Sequence, residues 1–141
     1  MLDDLKVREF TKEKARMLNP LQLALIGDGA FEIFIRTYIL AENESLTANK
    51  IHVKAIGYVK AKGQSCIMHE IEQLLTEEEL SIYKRGRNAK SPTVPKNADV
   101  RDYRMATGFE ALVGYLYLVG DKDRLEFILN KSIEVLNKEE V

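Results

Sequence analysis

"NPLQLALIGDGAFEIFIRTYIL", residues 19–40, decides how the rest of the chain is read. Asn19 followed by Pro20 is a helix start. The Asn side chain accepts from a freed backbone N–H, and proline suits the first helical position, where its missing donor is no loss. Apolar residues then recur on a helical period to about Ala41. Leu21, Leu25, Asp28, Glu32, Ile35 and Ile39 share one face, with Leu23, Ile26, Ala30, Phe34 and Tyr38 opposite. A helix apolar on both sides is central to a fold, yet this one carries two carboxylates one turn apart. An unpaired buried carboxylate is costly, so Asp28 needs a cation, a donor cluster or a metal.

The stretch from Asp99 to Val119 repeats the anomaly. Met105, Phe109, Leu112 and Leu116 form an apolar face, while Thr107, Glu110, Gly114 and Tyr117 lie on another. Glu110 is the sole carboxylate between Tyr103 and Gly120. Two central helices with one such acid each suggest that the acids meet, and Gly27 and Gly114 allow close helix approach or entry of a bulky ligand. Carboxylates without His or Cys beside them favour a hard cation such as Mg²⁺ or Mn²⁺. The structural alternative is internal pairing of Asp28 and Glu110 with Arg104, Arg36 or Lys54. Spacing alone leaves both open.

The remaining pattern is helical. Leu2 to Arg16 reads as a short charged helix or a loosely attached arm. A helix is expected from Thr47 to about Lys62 with Gly63 as its stop, and a short one from Gln64 to Leu75. Thr76 with Glu79 forms a capping box that starts a helix to about Asn88. "SPTVP", residues 91–95, is a loop. Gly120 closes the helix from Asp99, and an amphipathic helix runs from Asp121 to about Asn137. The expectation is an all-α domain of six or seven helices.

Composition bounds the function. At 141 residues, with 21 Lys plus Arg against 22 Asp plus Glu, the chain suits one globular domain and has nearly balanced charge. The charge is unevenly spread: Lys84 to Arg104 holds seven bases and two acids, enough for a local positive field. "YKRGRNAKS" sets Arg85, Arg87, Asn88 and Lys90 at a helix end beside a loop, where phosphate binding is natural; a solvated charge run is the alternative. The single Cys66 fits a reducing compartment, and no signal peptide or membrane span is expected, so the reading is cytoplasmic. His52 and His69 match no zinc spacing.

"LALIGDGAFE", residues 23–32, resembles the signature helix of the ribonuclease III catalytic domain, and "ATGFEALVGYLYL", residues 106–118, resembles that family's second acidic helix. The resemblance implies an all-helical, homodimeric endonuclease fold that cleaves double-stranded RNA with a divalent metal. Asp28 falls on the invariant Asp of the first motif and Glu110 on the essential Glu of the second. Both are thereby implied as catalytic residues and ligands of Mg²⁺ or Mn²⁺. Ala24 and Thr107 stand where full-length enzymes carry two further acids. That reduced set, with "RNAKS" and "ATGFEAL", is similar to the short bacterial Mini-ribonuclease III group, over roughly residues 15–137.

The group's members are the catalytic domain alone and mature precursor 23S ribosomal RNA, leaving 5′-phosphate and 3′-hydroxyl ends. A single domain over residues 1–141, without a double-stranded RNA-binding domain, is accordingly expected. RNA contact then falls to Arg85, Arg87, Asn88, Lys90, Lys96, Arg101 and Arg104, with Lys60 and Lys62 as further candidates. Glu32 and Thr107 are supporting residues. A dimer interface that includes part of the Leu21–Ile39 helix is expected, as is help from a ribosomal protein or pre-ribosomal particle. A catalytically silent RNA-binding scaffold and a purely structural helical dimer remain the competing readings.

Overall fold

The computed structural model describes residues 6–90, 94 and 99–139. Among these, seven α-helices carry the fold and no strand occurs. They are α1 (Lys12–Met17), α2 (Pro20–Glu42), α3 (Ala48–Val59), α4 (Ala61–Ile71), α5 (Glu77–Asn88), α6 (Val100–Val119) and α7 (Lys122–Glu139), with a single 3₁₀ turn at Glu72–Leu74. The all-α expectation holds.

The sequence signals act where they stand. Asn19 caps α2 in a complete capping box with Gln22, and Pro20 occupies the first turn. Thr76 and Glu79 make the same reciprocal pair at α5. Gly120 ends α6 in the left-handed region at φ 72°, which glycine adopts without strain.

α6 is the axis of the domain. Eleven of its residues are buried, and α2, α4 and α5 pack most extensively around it. α7 closes the far side through Leu125, Ile128, Leu129, Val135 and Leu136. Phe31 of α2 meets Phe109 of α6 edge to face, with centroids 5.1 Å apart. α5 is anchored from two directions. Glu79, 3% exposed, takes a two-pronged ion pair from Arg124 of α7, at 2.7 and 2.8 Å. Glu78 accepts from Tyr115 Oη at 2.5 Å.

Three expectations are corrected. The boundary between α3 and α4 falls at Lys60, three residues before Gly63. Gly63 is a packing residue inside α4, where a Cβ would already crowd Leu136 and the Tyr58 carbonyl at 3.2 Å. Among the described residues of the N-terminal stretch, only those from Lys12 onward are helical, in α1; Phe10 N–H instead donates to the Leu118 carbonyl, and residues 2–5 lie outside the described residues, as does all of "SPTVP" except Val94. The buried face of α2 runs through Leu23, Ala24, Gly27, Ala30, Phe31, Ile35 and Ile39, cutting across the two faces expected. Leu25, expected on the same face as Ile35 and Ile39, is 73% exposed, whereas those two are buried. A helix apolar all round does not reveal its own rotation; contact with α6 decides it.

Candidate active site

Two glycines fix where α2 and α6 cross. A Cβ on Gly27 would stand 1.7 Å from the Glu110 carbonyl oxygen, and one on Gly114 would stand 1.9 Å from the Leu23 carbonyl oxygen. No side chain fits there, so backbone lies on backbone. Asp28 follows Gly27, and Glu110 lies one turn before Gly114. The crossing that requires glycine therefore also brings the two acids together.

Asp28 is exposed and Glu110 half-buried, so the cost of burial rests on Glu110, a correction to the expectation that Asp28 is the buried acid. Burial pushes the Glu110 carboxyl up to about 8, helped by the hydrogen bond that the protonated carboxyl donates to Asp28 and by the charges of Asp28 and Glu32; the Gln64 amide pulls the other way. Without a cation, the pair therefore holds a proton near neutral pH. No ion pair among the described residues includes Asp28 or Glu110. The internal salt bridges with Arg104, Arg36 or Lys54 are thus not formed. Arg36 Nε lies 3.2 Å from Glu32 Oε2 instead.

Adjacent carboxylates that repel one another, with no protein cation between them, suit a small divalent ion. Such an ion is commonly held by one or two carboxylates and keeps several waters. No group of three or more His, Cys, Asp or Glu side chains close enough for a metal occurs among the described residues. The carboxylates gathered at the crossing are Asp28 and Glu110, with Glu32 one turn beyond Asp28. Thr107 is buried and its hydroxyl donates to the Tyr103 carbonyl at 3.0 Å, which leaves only its lone pairs for other partners. Ala24 is buried at the helix crossing.

The basic candidates separate. α5 packs tightly on the α6 turn that carries Glu110: a Cβ on Gly86 would lie 2.8 Å from Ala111 Cβ, and one on Gly108 would lie 2.7 Å from the Tyr83 ring. The C-terminal end of α5, with its arginines, is thereby brought beside the acidic turn. Arg85, however, spends two donors on the carbonyls of Arg16 and Leu18, at 2.5 and 3.0 Å, tying α5 to the end of α1. Arg87 stacks over Tyr83 and donates to Asn88 Oδ1 at 3.2 Å. Asn88, Lys90, Arg101, Arg104, Lys60 and Lys62 are exposed or half-buried, and Lys96 lies outside the described residues. His52 and His69 offer no metal cluster among the described residues. Gln64 escapes sequence reasoning: an amide early in a short helix carries no periodic or motif signal.

Residues 21–121, which hold both acids and the crossing that pairs them, match the family model described as Ribonuclease III domain, and the chain belongs to the ribonuclease III family. Within it, the chain is similar to proteins named Mini-ribonuclease 3. It is 53% identical to that of Clostridium tetani (strain Massachusetts / E88) over 127 residues, 90% of this chain and 84% of that protein. Identity to that of Thermoanaerobacter sp. (strain X514) is 48% over 129 residues, 92% of this chain and 90% of that protein. A Fusobacterium nucleatum protein of known crystal structure superposes with a TM-score of 0.76 at 34% identity, covering 84% of this chain and 94% of that one. No described helix is long and apolar enough to cross a membrane.

Proposed function

We propose that the chain is a divalent-metal-dependent endoribonuclease that cleaves double-stranded RNA as a homodimer, with Asp28 and Glu110 as its catalytic and metal-holding residues. The observation that carries the reading is the Asp28–Glu110 pair, brought together by the glycine crossing with no protein cation to neutralise it. A bound Mg²⁺ or Mn²⁺ supplies activation of water and stabilisation of charge at the scissile phosphate. The protein's part is to hold that ion and orient the backbone of the RNA. Glu32, itself held by Arg36, adds negative potential without joining the pair. The bases at the end of α5 and in the first turns of α6, Arg87, Lys90, Arg101 and Arg104 among them, would track phosphates across an A-form helix.

Dimer formation is supported by an apolar strip left in water. Leu25, Ile33 and Leu40 recur along one side of α2, and Val53 and Ile56 are exposed on α3, which packs against α2. Such a surface is what an isologous interface covers. The relatives named Mini-ribonuclease 3 support ribonuclease activity; action on precursor 23S ribosomal RNA in the cytoplasm, with a ribosomal protein or pre-ribosomal particle as the partner to test, is part of the same proposal.

Purified protein incubated with duplex RNA tests the reading. Cleavage is expected with Mg²⁺ and not with EDTA, leaving 5′-phosphate ends. Asp28→Asn and Glu110→Gln are each expected to abolish it while circular dichroism stays unchanged. RNA binding without cleavage by the wild-type protein would instead establish the silent scaffold. Sedimentation equilibrium is expected to give twice the chain mass of 16.1 kDa, reduced to the single-chain mass by Leu25→Asp.

A further inference from the structure

Gln64 stands in the first turn of α4, the helix that packs beside α2 around α6. Its side chain is 1% exposed, yet its Nε2 has no hydrogen-bond partner. An unsatisfied buried donor costs stability, and a methionine would fill similar space without that cost. The surroundings are otherwise settled. The Gln64 backbone N–H donates to the Lys60 carbonyl at 3.1 Å, and Ser65 Oγ meets Met105 Sδ of α6 at 3.3 Å. Neither contact uses the Gln64 side-chain amide. It approaches the Glu110 carboxyl without completing a hydrogen bond. Glu32, whose charge also reaches Glu110, has Arg36 Nε 3.2 Å from its Oε2 and so is neutralised from its own helix.

We infer that Gln64 is a positioning residue of the acidic site, its Nε2 donating to the Glu110 carboxylate when a divalent cation is held with Asp28. The inference rests on the metal-dependent reading above. A metal-holding carboxylate has one set of lone pairs on the ion and needs a partner for the rest, and such partners are typically worth 10- to 100-fold in metal affinity. A neutral amide suits this place. Lys or Arg there would compete with the cation for Glu110, and another acid would add a third negative charge to a crowded pair.

Mn²⁺ binding without RNA, read by electron paramagnetic resonance, tests this on the wild-type protein, Asp28→Asn, Gln64→Met and Gln64→Glu. Gln64→Met is expected to bind Mn²⁺ about 10-fold more weakly. Its melting temperature in EDTA should equal or exceed that of the wild type, because the orphaned donor is gone. Cleavage of duplex RNA by this variant should recover as Mn²⁺ is raised. Gln64→Glu is expected to melt lower than wild type in EDTA and to regain the loss on addition of Mn²⁺, and this arm decides the matter if Gln64→Met does not fold. Mn²⁺ affinity of Gln64→Met within about twofold of wild type, well short of the expected range, overturns the inference, as does a Gln64→Glu melting loss that ignores Mn²⁺. Those results would leave the metal-dependent reading intact provided that wild type binds Mn²⁺ and Asp28→Asn does not. Absence of Mn²⁺ binding by the wild type overturns both.

Discussion

Gly27 lies against the backbone of Glu110 so closely that a Cβ would stand 1.7 Å from its carbonyl oxygen. The obstacle is backbone of a buried helix, which cannot swing aside as a flexible side chain would. Gly27→Ala must therefore push α2 away from α6. Overpacking of this kind costs roughly 1–3 kcal/mol and occasionally more. Urea unfolding is expected to show a loss at or above that range. Because the same shift separates Asp28 from Glu110, residual folded protein should cleave duplex RNA far more slowly. An alanine variant as stable and active as the wild type would mean that the crossing is looser than described. Gly29→Ala is the control: a Cβ there meets nothing within 4 Å.

The raised Glu110 carboxyl makes stability depend on pH. In the unfolded chain it titrates near 4.5 and in the fold near 8, chiefly because of burial and the neighbouring Asp28. Between those values the folded protein holds a proton that the unfolded chain releases. The resulting stabilisation, relative to a fold that holds the carboxylate charged, is complete below the lower value and is lost as pH rises through the upper one. In EDTA, the melting temperature should fall as pH rises from about 5.5 to about 8.5. Glu110→Gln should flatten that slope, since no proton remains to be lost. Mg²⁺ should flatten it in wild type by replacing the proton. A slope that survives in Glu110→Gln would place its origin elsewhere.

Much of the architecture is legible in the sequence because its signals are local. The Asn19 cap with Pro20, the box at Thr76–Glu79 and the stop at Gly120 each act within one turn, and all three form. The pairing of Asp28 and Glu110 is legible for another reason: acids are conspicuous in apolar helices. Rotation is not legible. Leu25 and Ile33 are as apolar as Leu23 and Phe31, and only the glycine contact tells α2 which of them faces α6. Nor does the boundary at Lys60 announce itself. Gly63 reads as a stop because sequence cannot separate a glycine that ends a helix from one that lets a neighbour approach. Arg85 misleads for a similar reason. A cation at a helix end is equally suited to a phosphate or to the carbonyls of Arg16 and Leu18, which lie 69 and 67 residues away in the chain.

The Glu79–Arg124 pair should matter for stability and not for chemistry. Glu79 is 3% exposed and Arg124 covers it with two hydrogen bonds. A third Arg124 hydrogen bond reaches the Leu74 carbonyl at 3.2 Å, so one side chain joins α7, α5 and the turn before α5. Removing one partner of such a pair leaves a buried charge behind. The usual cost is about 3–5 kcal/mol, and the lower end applies here because the Arg124 side chain is 29% exposed. Arg124→Met is expected to show that loss in urea unfolding, while cleavage per folded molecule with Mg²⁺ stays near wild type. A stability change under about 1 kcal/mol, the size of a surface pair, would mean that water replaces the guanidinium at little cost.

The basic end of α5 holds two kinds of cation, and salt can separate them. Arg85 is engaged with carbonyls at the C-terminal end of α1, whereas Arg87 lies over Tyr83 and donates to Asn88, and Lys90 follows just beyond the helix. If Arg87 and Lys90 each neutralise a phosphate, their joint replacement by alanine leaves two phosphates to their counterions. The slope of log affinity against log salt should then drop by about 0.7–0.9 for each phosphate no longer neutralised. Arg85→Ala should leave that slope nearly unchanged and lower stability instead, by about 1.5–3 kcal/mol, as expected for hydrogen bonds from a charged donor. Binding should be measured in Ca²⁺ so that cleavage does not consume the RNA, across a series of salt concentrations. Turnover at saturating RNA should fall less than affinity in the double variant, because Asp28 and Glu110 are untouched. An unchanged slope in Arg87→Ala/Lys90→Ala would return this segment to a solvated charge run and shift the RNA footprint to Arg101, Arg104 and the lysines at the α3–α4 boundary.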